Sequence, residues 1–188
     1  MNYYELKKHL LAKDAKMIRE EWFKDHKAEL ISGEPTYNIR WANLGSWCYG
    51  LNILMHGRYI TFTGDLGSSV FDLTWQATPY LTPTTDLSYI LGKLDCCSIK
   101  YNWNGELAKA YLINSLSGER INEDTFNKLE SYCDYRDNWN VEIRSAWEDS
   151  DLDTELASEL TTSGDILNPQ VHSYIIAWQM AVAQLNTK

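Results

Sequence analysis

The stretch from Tyr37 to Trp75 constrains the fold more than any other part of this chain, because its apolar and polar residues alternate with a period of two. Such alternation is typical of antiparallel strands that bury one face and expose the other. The segments His56-Gly57 and Gly64-Asp65-Leu66-Gly67 lie where turns are needed. We therefore predict an antiparallel β-meander of about four strands over residues 37–75. The alternating apolar set is Tyr37, Ile39, Trp41, Trp47, Tyr49, Leu51, Ile53, Met55, Ile60, Phe62, Phe71, Leu73 and Trp75.

Helical patterns flank this stretch on both sides. Near the N terminus, apolar residues recur at three- and four-residue steps, which predicts one helix over residues 1–31. Residues 86–188 are predicted to be mainly helical, and the last helix begins at Asn168-Pro169, where an Asn cap precedes a proline at the first helical position. The prediction is a single α+β domain over residues 1–188, in which N-terminal and C-terminal helices cover a small antiparallel sheet.

The cysteines and histidines give no sign of a metal or cofactor site. The 4 cysteines contain no C-x-x-C pair, and the 4 histidines contain no pair at i, i+4 spacing. A chain of 188 residues buries enough surface to fold without metals or disulfides. We therefore expect no cofactor and no metal.

The sequence contains no apolar run of the roughly 18 residues that a membrane-spanning helix needs. Its N terminus enters a charged helical pattern and lacks the apolar core of a signal peptide. A cytoplasmic location is therefore expected.

The excess negative charge is concentrated in one acidic segment. Residues 119–160 carry 13 acidic and 4 basic side chains, and the resulting −9 equals the formal net charge of the whole chain. Such a field repels nucleic acid and attracts basic partners. The segment therefore predicts a partner protein with a basic groove and no direct contact with nucleic acid.

Aromatic residues interleave with these carboxylates. Tryptophan and tyrosine are enriched in protein–protein hot spots because they offer large, rigid and amphipathic contact area. A pair of ordinary solvated acidic helices would show a similar pattern. The predicted partner-binding residues are Asp134, Asp137, Trp139, Trp147, Glu148, Asp149, Asp151 and Asp153.

No catalytic signature stands out in the sequence, and no catalytic residue is assigned. The segment Gly64-Asp65-Leu66-Gly67 matches neither spacing of the phosphate-binding glycine motifs, so a hairpin turn is favoured over an anion-binding loop. Asp65 and Asp72 lie near the predicted sheet and form the candidate carboxylate pair. They are the candidate ligand-binding residues if the protein takes a small molecule.

Two motifs and the strand that follows them carry a resemblance to known proteins. Trp41-Ala42-Asn43-Leu44-Gly45 forms a W-x-N-x-G motif, and Gly64-Asp65-Leu66-Gly67 follows as G-D-L-G. With Val70–Trp75 they make the region 37–100 resemble small phage and prophage accessory proteins. Motifs of this kind mark a fold more than an activity. The resemblance implies host-directed work in a bacterial cell, with inhibition of a defence system in the manner of anti-CRISPR proteins, and it supplies no catalytic residues.

These observations lead to three hypotheses. The leading one is a non-enzymatic phage protein that binds and inhibits a host nucleic-acid-handling complex, such as a CRISPR effector or another nuclease, through the acidic and aromatic surface. The second is a binder or hydrolase of a nucleotide signal that uses the polar face of the sheet. The third is a phage structural or assembly protein, which would form a defined homo-oligomer such as a homodimer.

Overall fold

The computed structural model describes residues 1–80, 86–97 and 99–187 and shows an α+β protein, which confirms the predicted fold class. The helices are α1 (Tyr3–Met17), which continues as a π-helical turn (Ile18–Trp22), α2 (Leu87–Leu91), α3 (Gly105–Ser117), α4 (Glu123–Glu130), α5 (Arg136–Glu148), α6 (Thr154–Thr161) and α7 (Pro169–Asn186). The strands are β1 (His26–Ser32), β2 (Thr36–Asn43), β3 (Ser46–His56), β4 (Tyr59–Gly64), β5 (Gly67–Asp72), β6 (Leu94–Cys97), β7 (Tyr101–Trp103) and β8 (Asp165–Leu167).

Strands β1 to β6 form one antiparallel sheet in which neighbours in sequence are also neighbours in space. Strands β7 and β8 pair separately. The predicted meander is present as β2 to β5, but the sheet has 6 strands where about four were predicted. The two additional strands are its edges, because β1 precedes the meander and β6 follows it.

The prediction of one helix over residues 1–31 is wrong beyond Trp22, because β1 begins at His26 and pairs with β2. The apolar helical stripe ends at Trp22, yet the next glycine is Gly33, so the local sequence contains no strong stop signal before the strand. Pairing with β2 is a non-local contact, and helical periodicity does not report it.

The chain folds into two units, each assembled from segments that are distant in sequence. The helical unit comprises Met1–Ala12 and Tyr101–Leu167, and the sheet unit comprises Lys13–Lys100 and Asn168–Lys188. The helical unit contains α3 to α6 and the β7–β8 pair, whereas the sheet unit contains the six-stranded sheet, α2 and α7. Each unit buries apolar clusters of its own.

The predicted alternation forms the core of the sheet unit. Ile39, Ile53 and Phe62 lie on the apolar face and are completely buried. The start of β3 departs from the pattern, because Tyr49 has a φ of 57° and Trp47 is 39% exposed. A left-handed residue within a strand interrupts the strict alternation of side chains between the two faces. The predicted buried set of β3 is therefore correct only after this residue.

Helix α7 covers the apolar face of the sheet. Asn168 accepts a hydrogen bond at 2.9 Å from the backbone N–H of Gln170, which confirms the predicted start of the helix. The ring of Tyr174 stacks on Phe62 with 5.3 Å between the ring centroids. Its hydroxyl donates to the carbonyl oxygen of Leu66 at 2.6 Å. One tyrosine therefore joins the helix to the sheet face and to the β4–β5 turn.

The same helix also occupies part of the β1 edge. The side-chain oxygen of Gln184 accepts from the backbone N–H of Ala28 at 3.0 Å, and its Nε2 donates to the carbonyl oxygen of His26 at 3.1 Å. These two bonds reproduce the pairing that one residue of a parallel neighbouring strand would make. Because an open strand edge is a site of aggregation, this side chain protects the sheet.

A buried histidine in α7 makes the stability of the sheet unit depend on pH. His172 is 7% exposed, and its Nδ1 has no hydrogen-bond partner among residues 1–80, 86–97 and 99–187. Burial, with a smaller contribution from the positive charge of Arg19, lowers the pKa of His172 from 6.5 to about 4. The folded state therefore favours the neutral imidazole. This contribution to stability is fully present above pH 6.5 and is lost as the pH falls towards 4.

We expect the substitution His172→Leu to reduce the acid sensitivity of folding. Between pH 6.5 and pH 4 the wild-type protein should lose on the order of 3 kcal/mol of unfolding free energy through this histidine, and the variant should lack that part of the loss. Urea unfolding at several pH values measures the difference. His9→Gln, at an exposed position of α1, is the control and should follow the wild type. Parallel pH profiles for His172→Leu and wild type would contradict the assignment.

Candidate functional site

The two units differ sharply in charge. The helical unit carries 7 basic and 16 acidic side chains, a net charge of −9, whereas the sheet unit carries 10 of each. The whole excess negative charge of the protein therefore belongs to the helical unit. Any partner that is attracted by charge will be drawn to this unit.

Among the described residues, most carboxylates of the acidic segment have no ion-pair partner. Of the 13 acidic side chains in residues 119–160, 4 form ion pairs within the described part of the chain. The other nine form no ion pair in that part of the chain, so no contacting cation offsets their negative charge. The 4 pairs are Glu130–Lys109 at 2.7 Å, Glu159–Arg120 at 2.7 Å, Asp149–Lys128 at 3.5 Å and Glu148–Arg144 at 3.0 Å.

Trp139 was predicted to contact a partner, and the structure corrects this prediction. The side chain is completely buried, and its Nε1 donates to the carbonyl oxygen of Leu160 at 2.9 Å. Trp139 lies on the inward side of α5 with Ile143 and Ala146, which are also buried. The ring therefore belongs to the core of the helical unit and joins α5 to α6.

Trp147 is exposed, as the prediction requires. Its side chain is 46% exposed, and its Nε1 donates to Thr154 Oγ1 at 3.3 Å. The ring lies at one end of a groove between α5 and α6 that encloses about 230 Å³. Each helix lines this α5–α6 groove with four residues at i, i+3, i+4 and i+7, beginning at Asn140 and at Thr154. The groove thus follows one face of a helical hairpin.

The structure brings most of the predicted acidic residues to the ends of the α5–α6 groove. Glu148, Asp149, Asp151 and Asp153 lie at the end of α5 and in the turn that leads to α6, beside Trp147. All four side chains are exposed. Asp153 also caps α6, because its Oδ1 accepts from the backbone N–H of Leu156 at 2.7 Å.

The remaining two predicted carboxylates lie away from that turn. Asp137 occupies the first turn of α5, one helical turn before Asn140, and marks the other end of the groove. Asp134 is exposed and precedes α5. The sequence analysis did not predict the groove. Its sequence signal is the helical spacing of apolar and small residues around Ile143 in α5 and around Ala157 in α6.

Asp65 and Asp72 are separated in the structure. Gly64 pairs with Gly67 across a two-residue turn, which confirms the hairpin interpretation of this segment. Asp65 lies in that turn, where its Oδ2 accepts from the backbone N–H of Tyr49 at 2.8 Å. Asp72 lies at the other end of β5, roughly 17 Å along the strand from the turn. The two carboxylates therefore cannot act on one small ligand.

Asp72 has its own partner, since it forms an ion pair with Arg58. The polar face of the sheet holds a different cavity, of about 270 Å³, which Lys27, Glu29 and Arg40 line at the β1 edge. The guanidinium of Arg40 lies 5.4 Å from the ring centroid of Trp47. A cation and an aromatic surface therefore meet beside this cavity, and neither Asp65 nor Asp72 lines it.

Within residues 1–80, 86–97 and 99–187, no group of three or more His, Cys, Asp or Glu side chains is arranged to hold a metal ion. In the same part of the chain, no helix has both the length and the hydrophobicity to cross a membrane. Comparisons with protein-family models, with curated proteins and with solved structures found no match.

We expect the two tryptophans of α5 to respond differently to substitution. Trp139→Phe leaves a gap in the core and removes the indole hydrogen bond to Leu160, whose carbonyl oxygen still accepts from Ser163. It should lower the unfolding free energy by about 2–3 kcal/mol. Trp147→Phe removes one exposed hydrogen bond and should cost less than about 1 kcal/mol. Urea unfolding of both variants measures these losses. Equal losses would contradict the division into a core and a surface tryptophan.

Proposed function

We propose that this protein is a non-enzymatic phage or prophage accessory protein that binds and inhibits a host nucleic-acid-handling complex through its helical unit. The observation that carries the proposal is the charge layout. The helical unit holds the entire net charge of −9, and most of the carboxylates in its acidic segment have no cationic partner among the described residues.

A surface of this kind competes with nucleic acid for the same partner. Proteins that bind DNA or RNA present lysine and arginine side chains to the phosphates, and most of the non-specific binding energy comes from these contacts. Exposed carboxylates such as Asp149 and Asp151 can occupy the positions of phosphates in such a groove. Association is then fast at low salt and weakens as salt screens the charges.

The resemblance of residues 37–100 to phage and prophage proteins supports the part of the proposal that places the protein in an infected bacterial cell. A phage protein of this type acts in the cytoplasm of the bacterial host, and its targets are CRISPR effectors and other nucleases. The sheet unit, with 10 basic and 10 acidic side chains, then serves as a neutral scaffold.

We expect the tagged protein to retain a nuclease or CRISPR effector from native host lysate at low salt and to release it at high salt. Neutralising Asp149, Asp151 and Asp153 together to Asn should weaken this binding by roughly 10- to 100-fold. Asn at position 153 keeps the helix cap, so the fold is preserved. Mass spectrometry identifies the bound protein, and surface plasmon resonance with that purified partner measures the affinity.

The matched control removes the same charge from the sheet unit. Glu21→Gln, Asp25→Asn and Asp95→Asn are exposed positions and should together change the affinity by less than about twofold. The proposal fails if both triple variants bind alike. It also fails if the proteins that are recovered bind no nucleic acid or are held equally well at high salt.

One observation favours a second candidate, the binding of an anionic small molecule such as a nucleotide. The cavity on the polar sheet face presents Lys27 and Arg40, and Trp47 lies against Arg40. Cations with an adjacent aromatic ring suit a phosphate joined to a planar base. The carboxylate of Glu29 in the same cavity opposes such a ligand.

Thermal denaturation in the presence of nucleotides and cyclic dinucleotides tests this second candidate. A true ligand at 100 times its dissociation constant should stabilise the fold by about 2.7 kcal/mol. Arg40→Gln should abolish the stabilisation, and Arg58→Gln, whose side chain pairs with Asp72 elsewhere on the sheet, should retain it. If no compound of the panel raises the melting temperature, the second candidate is rejected for these ligands.

A further inference from the structure

We propose that the α5–α6 groove binds a short segment of the partner in which one or two apolar side chains are flanked by arginine or lysine. The apolar side chains enter the groove beside Trp147, and the cations meet the carboxylates at its two ends. This inference rests on the proposed function and deepens it, because it names the chemistry of the segment that the acidic surface recognises.

The size of the groove favours side chains over a whole metabolite. Small-molecule sites usually enclose about 300–1,000 Å³. The α5–α6 groove encloses about 230 Å³ and is open along a helical hairpin, so it fits one or two inserted side chains. Its floor is apolar where Ile143 and Ala157 face each other, which favours an aliphatic side chain there.

The charge around the groove selects the flanking residues. Asp137 lies beyond one end, and Glu148, Asp151 and Asp153 lie at the other. An acidic segment would be repelled at both ends, whereas a basic segment is attracted at both.

Arg144 shows that a guanidinium group fits against the α5 side of the groove. Arg144 lines the groove, and its Nε donates to Glu148 at 3.0 Å. The side chains of this pair are 78% and 55% exposed. An exposed pair of this kind is held weakly and exchanges readily. An arginine of the partner can therefore take the place of Arg144 on Glu148 without disturbing the core.

Two labelled synthetic peptides test the inference. Both have 14 residues and the same number of arginines and lysines, but one has two central leucines and the other has serines in their place. Fluorescence anisotropy should show that wild-type protein binds the leucine peptide about tenfold more tightly than the serine peptide. Ser158→Trp fills the groove from an exposed position, and it should remove this preference. Asn127→Trp adds the same side chain on α4, away from the groove, and should keep it.

A second pair of variants distinguishes a loss of binding from a loss of folding. Trp147→Ser removes the exposed ring beside the groove, whereas Val141→Ser removes an exposed apolar side chain elsewhere on α5. Only the first should weaken binding of the leucine peptide. Equal affinity of wild-type protein for both peptides overturns the inference, and so does an equal effect of Trp147→Ser and Val141→Ser.

The triple Asp→Asn variant in the lysate experiment decides the proposed function separately, because it leaves the apolar floor of the groove intact.

Discussion

Burial of the apolar sheet face beneath α7 is the interaction on which the sheet unit depends. An antiparallel meander has one face that must be removed from water, and α7 residues such as Tyr174, Trp178 and Val182 belong to the same buried apolar cluster as that face. Tyr174 fixes the orientation of α7 on the sheet, because its ring stacks on Phe62 and its hydroxyl donates a hydrogen bond to the Leu66 carbonyl oxygen. Gln184 extends the same helix to the β1 edge. One helix thus protects the face, a turn and an edge.

The helical unit depends on a different stabilising contact. Its helices α3 to α6 have 8 to 13 residues, and short helices contribute little stability on their own. The buried indole of Trp139 joins α5 to α6 by packing and by its bond to Leu160. Trp139 and Ala146 face this core, and Ile143 lies both in the core and on the floor of the α5–α6 groove. The charged residues of α5 lie on its exposed side.

The proposed function depends on the separation of charge between the two units. Uncompensated carboxylates repel one another and cost stability wherever they cluster. The cost is tolerated in the helical unit, whereas the sheet unit balances 10 basic with 10 acidic side chains. In the proposed function, the exposed acidic and apolar surface around Trp147 recognises a basic protein and makes a specific contact at its centre.

The sequence by itself determined the α+β class, most of the buried set of the meander, the Asn168 cap and the location of the excess charge, because these depend on local periodicity, capping and composition. It did not determine that residues 26–32 form a strand, since β1 is stabilised by pairing with β2 and not by its own pattern. Only the tertiary structure decided which tryptophan of α5 faces the core, because Trp139 and Trp147 both continue the i, i+4 spacing through Ile143 and the packing of α6 decides between them. The same contact creates the groove, and the hairpin geometry of β4 and β5 separates Asp65 from Asp72.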